Sequence, residues 1–396
     1  MHFILRTLPV DEEDLQPLDD KIANVLLPVL LGRGKLAESM MALLRLPARL
    51  GGIGLPFLSA VAKTEFTASQ AMTKGQVEEM VRQNMNHKLP SVENLHADVV
   101  RARNASKKQR RKAEQARRKN LMESPDLDVR QIELLSAKGA SSWLTVLPLR
   151  EHGFWLNKRD FRDALALRYG WQLDAVPVSC VCGSDFTPDH AMICSFGGYP
   201  TIRHNELRDI IGSLLSEVCH DVAIEPRLQP LNREVFRSKT TTSAPEARAD
   251  VRATGFWTKR EDAFFDIRIF HANAPSYRSL SPSQAFEFHE RHKQLEYEER
   301  IVNVDHGSFC PLVFSTSGAV GPLCGTFLKR LAGLVADQSS IAYSEAMAWL
   351  RCRFSYALLR SAVMCIRGSR SSHRKPVRDI NIDIQVSLAE GRSTED

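Results

Sequence analysis

The chain has no run of about 18 uncharged apolar residues of the kind a membrane helix needs. Its opening, MHFILRTLPV, meets the acidic run Asp11-Glu12-Glu13-Asp14 before an apolar core of signal-peptide length has formed. Neither a membrane span nor a secretory leader is expected, which leaves a soluble intracellular protein. Eight cysteines in 396 residues are too few for a disulfide scaffold. No internal repeat occurs, which excludes a solenoid. A phosphate loop is also missing, because Gly32-Arg33-Gly34-Lys35 lacks both the upstream glycine and the Ser or Thr after the lysine.

What is present is enough hydrophobic content, 43% of 396 residues, to bury more than one core. The net charge of +6 is laid out unevenly: residues 101–120 hold ten Arg or Lys against one Glu, so the remainder is slightly acidic. Such a run repels itself unless it meets an anion. That points to nucleic-acid contact through Lys107, Lys108, Arg110, Arg111 and Lys112, or to nuclear import, with a solvated helix face as the plainer alternative.

Leu18, Ile22, Val25, Leu26 and Val29 recur at helical spacing within 15–31, and Leu46-Pro47 followed by Gly51 to Pro56 ends that pattern in a tight turn. A helical stretch over 60–85 leads into the basic run, which has helix formers but no apolar stripe and reads as an exposed or partly disordered arm. Phe161, Leu165 and Tyr169 predict a packed helix ending at Gly170. Between 200 and 318 the pattern predicts a helix (204–219), three strands (221–228, 247–254, 263–270), a second helix (283–301) and a fourth strand (309–315). Two helical stretches follow Gly321, ahead of a polar Arg/Ser tail. The fold class expected is α/β, with an αβββαβ core flanked by helical N- and C-terminal regions.

Cys180, Cys182 and Cys194 crowd into 15 residues with His190, in the order C-x-C-x7-H-x3-C. Three thiolates and one imidazole satisfy tetrahedral zinc with no open position, so the metal would be structural. The one-residue gap in the first pair departs from the usual two, and buried cysteines beside a satisfied histidine are the other reading.

A second constellation is acidic. Asp250 in ARADVRAT and Asp266 in AFFDIRIF each interrupt an apolar, strand-like run. Two neighbouring strands can bring such carboxylates onto one hard cation, which is what phosphodiester hydrolysis with Mg2+ requires. Asp266 and Arg268 share a strand face, with Ile267 on the other. The alternative is an ion pair of Asp266 with Arg268 or Arg252. Glu206 on the first helix is placed to help hold the metal, and Lys293 and Tyr297, one turn apart on the second helix, to orient water or stabilise charge.

Taken in order, C-x-C…H…C, Arg203-His204-Asn205, Arg248-Ala249-Asp250, Asp266-x-Arg268 and Lys293-x3-Tyr297 resemble the restriction-like endonuclease of site-specific non-LTR retrotransposons, over about residues 175–318. The helix and strand order likewise resembles the PD-(D/E)XK core. Leu43 to Pro56 is similar to the segment that follows the thumb of retroelement reverse transcriptases. The resemblance implies a restriction-endonuclease-like core with a mixed central sheet and catalytic Asp250, Asp266, Arg268, Lys293, Tyr297 and Glu206. It further implies Mg2+ at Asp250 and Asp266, Zn2+ at the Cys/His set, and Arg203 and His204 on nucleic acid. The implied activity is nicking of target DNA in the nucleus, so that the free 3′ end primes reverse transcription. DNA is then the partner, with element RNA as a further one, and no membrane.

The divisions expected are a helical segment (1–85), a basic arm (86–125), a helical region (126–178), a zinc knuckle (179–195), the endonuclease (196–318), C-terminal helices (319–366) and a polar tail (367–396). A Tyr-x-Asp-Asp or Phe-x-Asp-Asp polymerase signature is absent, so the chain looks like the C-terminal part of a longer polyprotein. Two positions depart from the family: Ala249 stands where it has Pro, and Arg268 where it has Lys, and a guanidinium cannot act as a base. The alternative is a catalytically inactive nuclear DNA-binding protein that keeps the fold.

Overall fold

The computed structural model describes residues 2–82, 92–229 and 247–368, so the start of the expected basic arm (86–91) and most of the polar tail (369–396) lie outside it. The chain divides into two units, Met1–Ile132 and Glu133–Asp396.

The first unit is helical: α1 (His2–Thr7), α2 (Glu12–Lys21), α3 (Leu27–Leu31), α4 (Glu38–Leu44), α5 (Leu58–Arg82) and α6 (Val92–Met122). Leu5, Leu15 and Ala62 form a small core. Beside it the buried Asp19 carboxylate accepts from the amides of Leu58 (2.9 Å) and Ser59 (3.0 Å), satisfying donors that the first turn of α5 would otherwise leave bare.

The segment 15–31 is helical, as its spacing predicts; Val25, Leu26 and Val29 are exposed on it, while Leu15, Leu27 and Leu31 are buried. A π-turn over Ile22–Leu26 interrupts the segment and shifts the α-helical phase between Leu18 and Val29. The basic run belongs to α6, which packs on α5 and α4, and Lys107, Lys108, Arg110, Arg111 and Lys112 are exposed on it, the first of the two alternatives expected for this arm.

α7 (Val129–Ser136) crosses the boundary between the units. The second unit continues with α8 (Lys158–Tyr169), α9 (Pro188–Ile193), α10 (Tyr199–Val218), β1 (His220–Ile224), β2 (Val251–Thr254), β3 (Asp262–Phe270), α11 (Pro282–Asn303), β4 (Ser308–Ser315), α12 (Pro322–Ser339) and α13 (Tyr343–Arg367). Asn157 caps α8, and Gly170 ends it in the left-handed conformation, as its position in the sequence predicts.

The order helix, three strands, helix, strand is present as expected, and the sheet runs β1-β2-β3-β4. It is mixed: β1/β2 and β2/β3 are antiparallel, and α11 crosses over to make β3/β4 parallel. β3 divides its side chains by alternation. Ala263, Phe265 and Ile267 pack with α10, α12 and α13, whereas Phe264 and Phe270 pack with Tyr297 and Phe286 of α11. Asp266 belongs to the α11 side, an acid inside an otherwise apolar layer.

Candidate active site and metal centre

The Cys/His segment is built by one turn and one short helix. Cys180 N donates to Ser184 O (2.8 Å) and Gly183 N returns to Cys180 O (2.9 Å), with Gly183 at φ 89°, a conformation that disfavours any Cβ. Thr187 caps α9 by accepting from the His190 amide, and Cys194 follows the helix directly. The result brings one ligand atom each of Cys180, Cys182, His190 and Cys194 within 4.8 Å of one another.

Cys180 Sγ and Cys194 Sγ lie 3.8 Å apart, matching the edge of about 3.8 Å in a tetrahedron of thiolates about 2.3 Å from zinc. The cluster can therefore hold a metal such as zinc. The amide and hydroxyl of Ser184 pull the Cys182 thiol down to about 6, toward the thiolate that metal binding needs, while burial pushes Cys194 up.

Arg203 was expected at nucleic acid, but it is 4% exposed. Its guanidinium donates to the Met192 carbonyl (3.3 Å) and contacts Cys365 Sγ (3.9 Å), so it anchors the metal segment to α10 and α13. Its burial corrects that expectation.

The acidic constellation forms where β2 begins. Val251 packs toward α10 and α12, but Ala249 packs toward α11, so the chain turns over at Asp250. Its carboxylate consequently lies at the sheet end, where Oδ2 accepts from Ile267 N (2.6 Å). His204 Nε2 is 3.1 Å from both Asp250 Oδ2 and Ile267 O. Both are acceptors, so that nitrogen carries the proton. His204 was expected on nucleic acid; here it holds Asp250 in place.

Asp266, 5% exposed, meets Lys293 Nζ at 3.0 Å. Burial and then the neighbouring Asp250 push the Asp266 carboxyl up to about 7, against the pull of Lys293 and His204. Burial works against a charge on Lys293 and on His204, yet the aspartates outweigh it and raise both. Lys293 also lies 3.4 Å from Glu296 and 5.1 Å from the Tyr297 ring centroid. Burial, then the charge of Asp266, raises Tyr297 and keeps its phenol neutral. Arg268, on the same strand face, is exposed.

The structure thus brings together Asp250, Asp266, Lys293 and Tyr297, with His204 added and Arg268 at the rim. Glu206 is not among them. Two positions beyond His204 it points about 200° away around the helix, toward α13, where Ser361 Oγ donates to it at 3.4 Å. Burial in that setting pushes its carboxyl up to about 7. One residue escaped the sequence reading altogether. His289, 4% exposed and one turn before Lys293, has an Nε2 without a hydrogen-bond partner among the described residues, and burial with Arg268 nearby brings it down to about 4. The signal was the spacing His289, Lys293, Tyr297 down one face.

On α6 the cations divide between two sides. Arg110 is drawn to Glu65 (3.4 Å) and Glu114 (3.7 Å), and Glu114 also pairs with Arg49. Lys107, Lys108, Arg111 and Lys112 line one exposed groove with Asn104 and Gln115, a face of single sign suited to phosphates.

Among the described residues the Cys/His cluster is the one group of three or more side chains placed to hold a metal. Among the described residues no helix is long and apolar enough to cross a membrane. No protein-family model matches the chain, and no curated protein matches it.

Proposed function

We propose that this chain is a Mg2+-dependent DNA endonuclease of the restriction-like class, with Asp250, Asp266 and Lys293 as its reacting centre. The observation that carries the reading is Lys293, on the crossover helix, 3.0 Å from Asp266 on the central strand, with Asp250 beside them. The αβββαβ order and the mixed sheet support it, since they are what the restriction-endonuclease-like core requires.

The donor set fits a hard dication. Mg2+ takes one or two protein carboxylates and completes its shell with water and substrate phosphate. A carboxyl held up at about 7 by burial and by a second acid is also one whose ionisation a dication would favour. When bound, the ion would polarise the scissile phosphate and lower the pKa of a coordinated water.

The side chains do the rest. His204 and the Ile267 amide fix Asp250 by one oxygen and leave the other for the cation. Lys293 holds its proton more tightly than an ordinary lysine, so it stabilises developing charge rather than acting as a base. Exposed Arg268 and the cationic face of α6 are suited to duplex phosphates. The cationic helix fits nuclear import, and the sequence resemblance supplies the setting: a nick that primes reverse transcription, with element RNA nearby.

One observation favours a second reading, an inactive DNA-binding protein: an oxygen of each aspartate is already engaged, by His204 and by Lys293. Plasmid nicking decides between them. The full chain should convert supercoiled DNA to open circles when Mg2+ is added. Asp250→Asn or Asp266→Asn should slow this by about 100-fold or more, with DNA affinity within about twofold. Undiminished cutting by both variants would remove the assignment, and absence of cutting by the wild type would leave the binding protein.

A further inference from the structure

Helix α11 carries two unlike sides. Lys293, Tyr297 and Ile301 face the sheet, whereas Phe288, Leu295 and Val302 stand 51%, 82% and 49% exposed. Residues seven apart fall within about 20° of each other around a helix, so these three form one seam, roughly opposite Lys293. Arg291 and Glu298 run down one flank of that seam, His292 and Glu299 down the other, all exposed. A shallow hollow lined by Arg291, Gln294, Glu298, Glu299 and Val302 surrounds Leu295. Among the described residues Arg291, Glu298 and Glu299 have no ion-pair partner.

The charges decide what the seam fits. Two copies of α11 laid antiparallel, with Leu295 on the two-fold axis, set Phe288 of one against Val302 of the other. On one flank a cation then meets a carboxylate, Arg291 against Glu298, and on the other the His292 imidazole meets Glu299 as a hydrogen-bonding partner. Laid parallel, the same flanks would take Arg291 away from Glu298 and oppose Glu298 to Glu299, like against like. The surface is therefore complementary to itself in one orientation, the property of an isologous interface. We infer that this face of α11 is a homodimer seam, covered by the same face of a second copy running antiparallel. The inference does not rest on the proposed chemistry. Because Lys293 lies on the far side of the helix, pairing leaves the acidic site open in both copies.

Three apolar residues per copy make a seam well below the roughly 800 Å2 per partner of a stable complex, so association should be concentration-dependent. Sedimentation velocity of the full chain over about 1–100 µM should reveal a monomer–dimer equilibrium. Leu295→Lys should weaken it by about tenfold or more. Because that side chain is exposed, the variant should retain the wild-type circular dichroism. Arg291→Glu should weaken association as well, and Arg291→Glu with Glu298→Arg should restore it, since the pairs are then reversed but intact. A chain that stays monomeric, a dimer indifferent to Leu295→Lys, or a double swap that fails to recover would each overturn the seam. In the last two cases another surface or a different partner covers it.

Discussion

The Cys/His cluster and the Asp250/Asp266 site both gather groups that repel one another when ionised, but they do so by opposite means. The first draws its ligands from one turn and one short helix, and three thiols converge without a protein cation among them. The second draws on α10, β2, β3 and α11, and brings its own partners, the Lys293 ammonium at 3.0 Å from Asp266 and the His204 imidazole at 3.1 Å from Asp250. A site that lacks a counter-charge depends on an ion for its fold. A site that supplies one can fold without an ion, and under the proposed function it would need one only to react.

The strongest way to break that contrast is to withhold zinc. About one zinc per chain should be measured by elemental analysis, and Cys194→Ser should lose it. Structural zinc contributes on the order of 10 kcal/mol in small metal-folded units, and here Met192 and Tyr199 pack beside the cluster against Ile366. Loss of metal should therefore loosen the ends of α10 and α13 and lower the thermal midpoint markedly, while withholding Mg2+ leaves it in place. A wild-type protein that is fully folded and free of zinc would make the two sites alike.

A smaller effect, of opposite sign at the two sites, is the response to pH. Asp266 is pushed up to about 7 in the fold from an ordinary value of 3.8, so the folded chain keeps a proton that the unfolded chain releases. That stability is fully present below about 4 and is lost as pH rises through about 7. His204, also raised, works in the same direction. In Mg2+-free buffer the urea midpoint should fall between pH 5 and pH 8, by about 1–3 kcal/mol in stability. Asp266→Asn should flatten this fall. Zinc at the thiols behaves in reverse, because binding releases protons and strengthens as pH rises. Equal pH slopes for wild type and Asp266→Asn would place the titration elsewhere.

How far the sequence could be read follows the same divide between local and distant. The Cys/His ligands lie within 15 residues, and spacing alone indicated their convergence. Asp266 was legible because strand alternation is strict, and Lys293 with Tyr297 because one helical turn joins them. Illegible features depended on a change of phase. The π-turn at Ile22–Leu26 shifts the helical phase ahead of the exposed Val29, and no residue pattern marks such a turn beforehand. At Asp250 the strand turns over, which is what lets His204 reach it, and that too is decided by packing.

Glu206 gives the mildest test and separates two roles for a buried acid. It was expected to join the metal, but it faces Ser361 at 3.4 Å and Arg360, and burial holds it at about 7 instead of 4.5. A carboxylate ligand replaced by an amide loses the charge that binds a hard cation, whereas a buried acid with one long hydrogen bond loses little. Glu206→Gln should therefore nick plasmid within about twofold of wild type. Its stability relative to wild type should grow from pH 5 to pH 8, by about 1–3 kcal/mol, because only the acid must ionise in a buried place as pH rises. If nicking instead falls by an order of magnitude with no change in the pH slope, Glu206 reaches the reacting centre after all. The carboxylate site would then gather three side-chain ligands against the four of the Cys/His segment, and the contrast between them would narrow to the kind of ligand and the presence of Lys293.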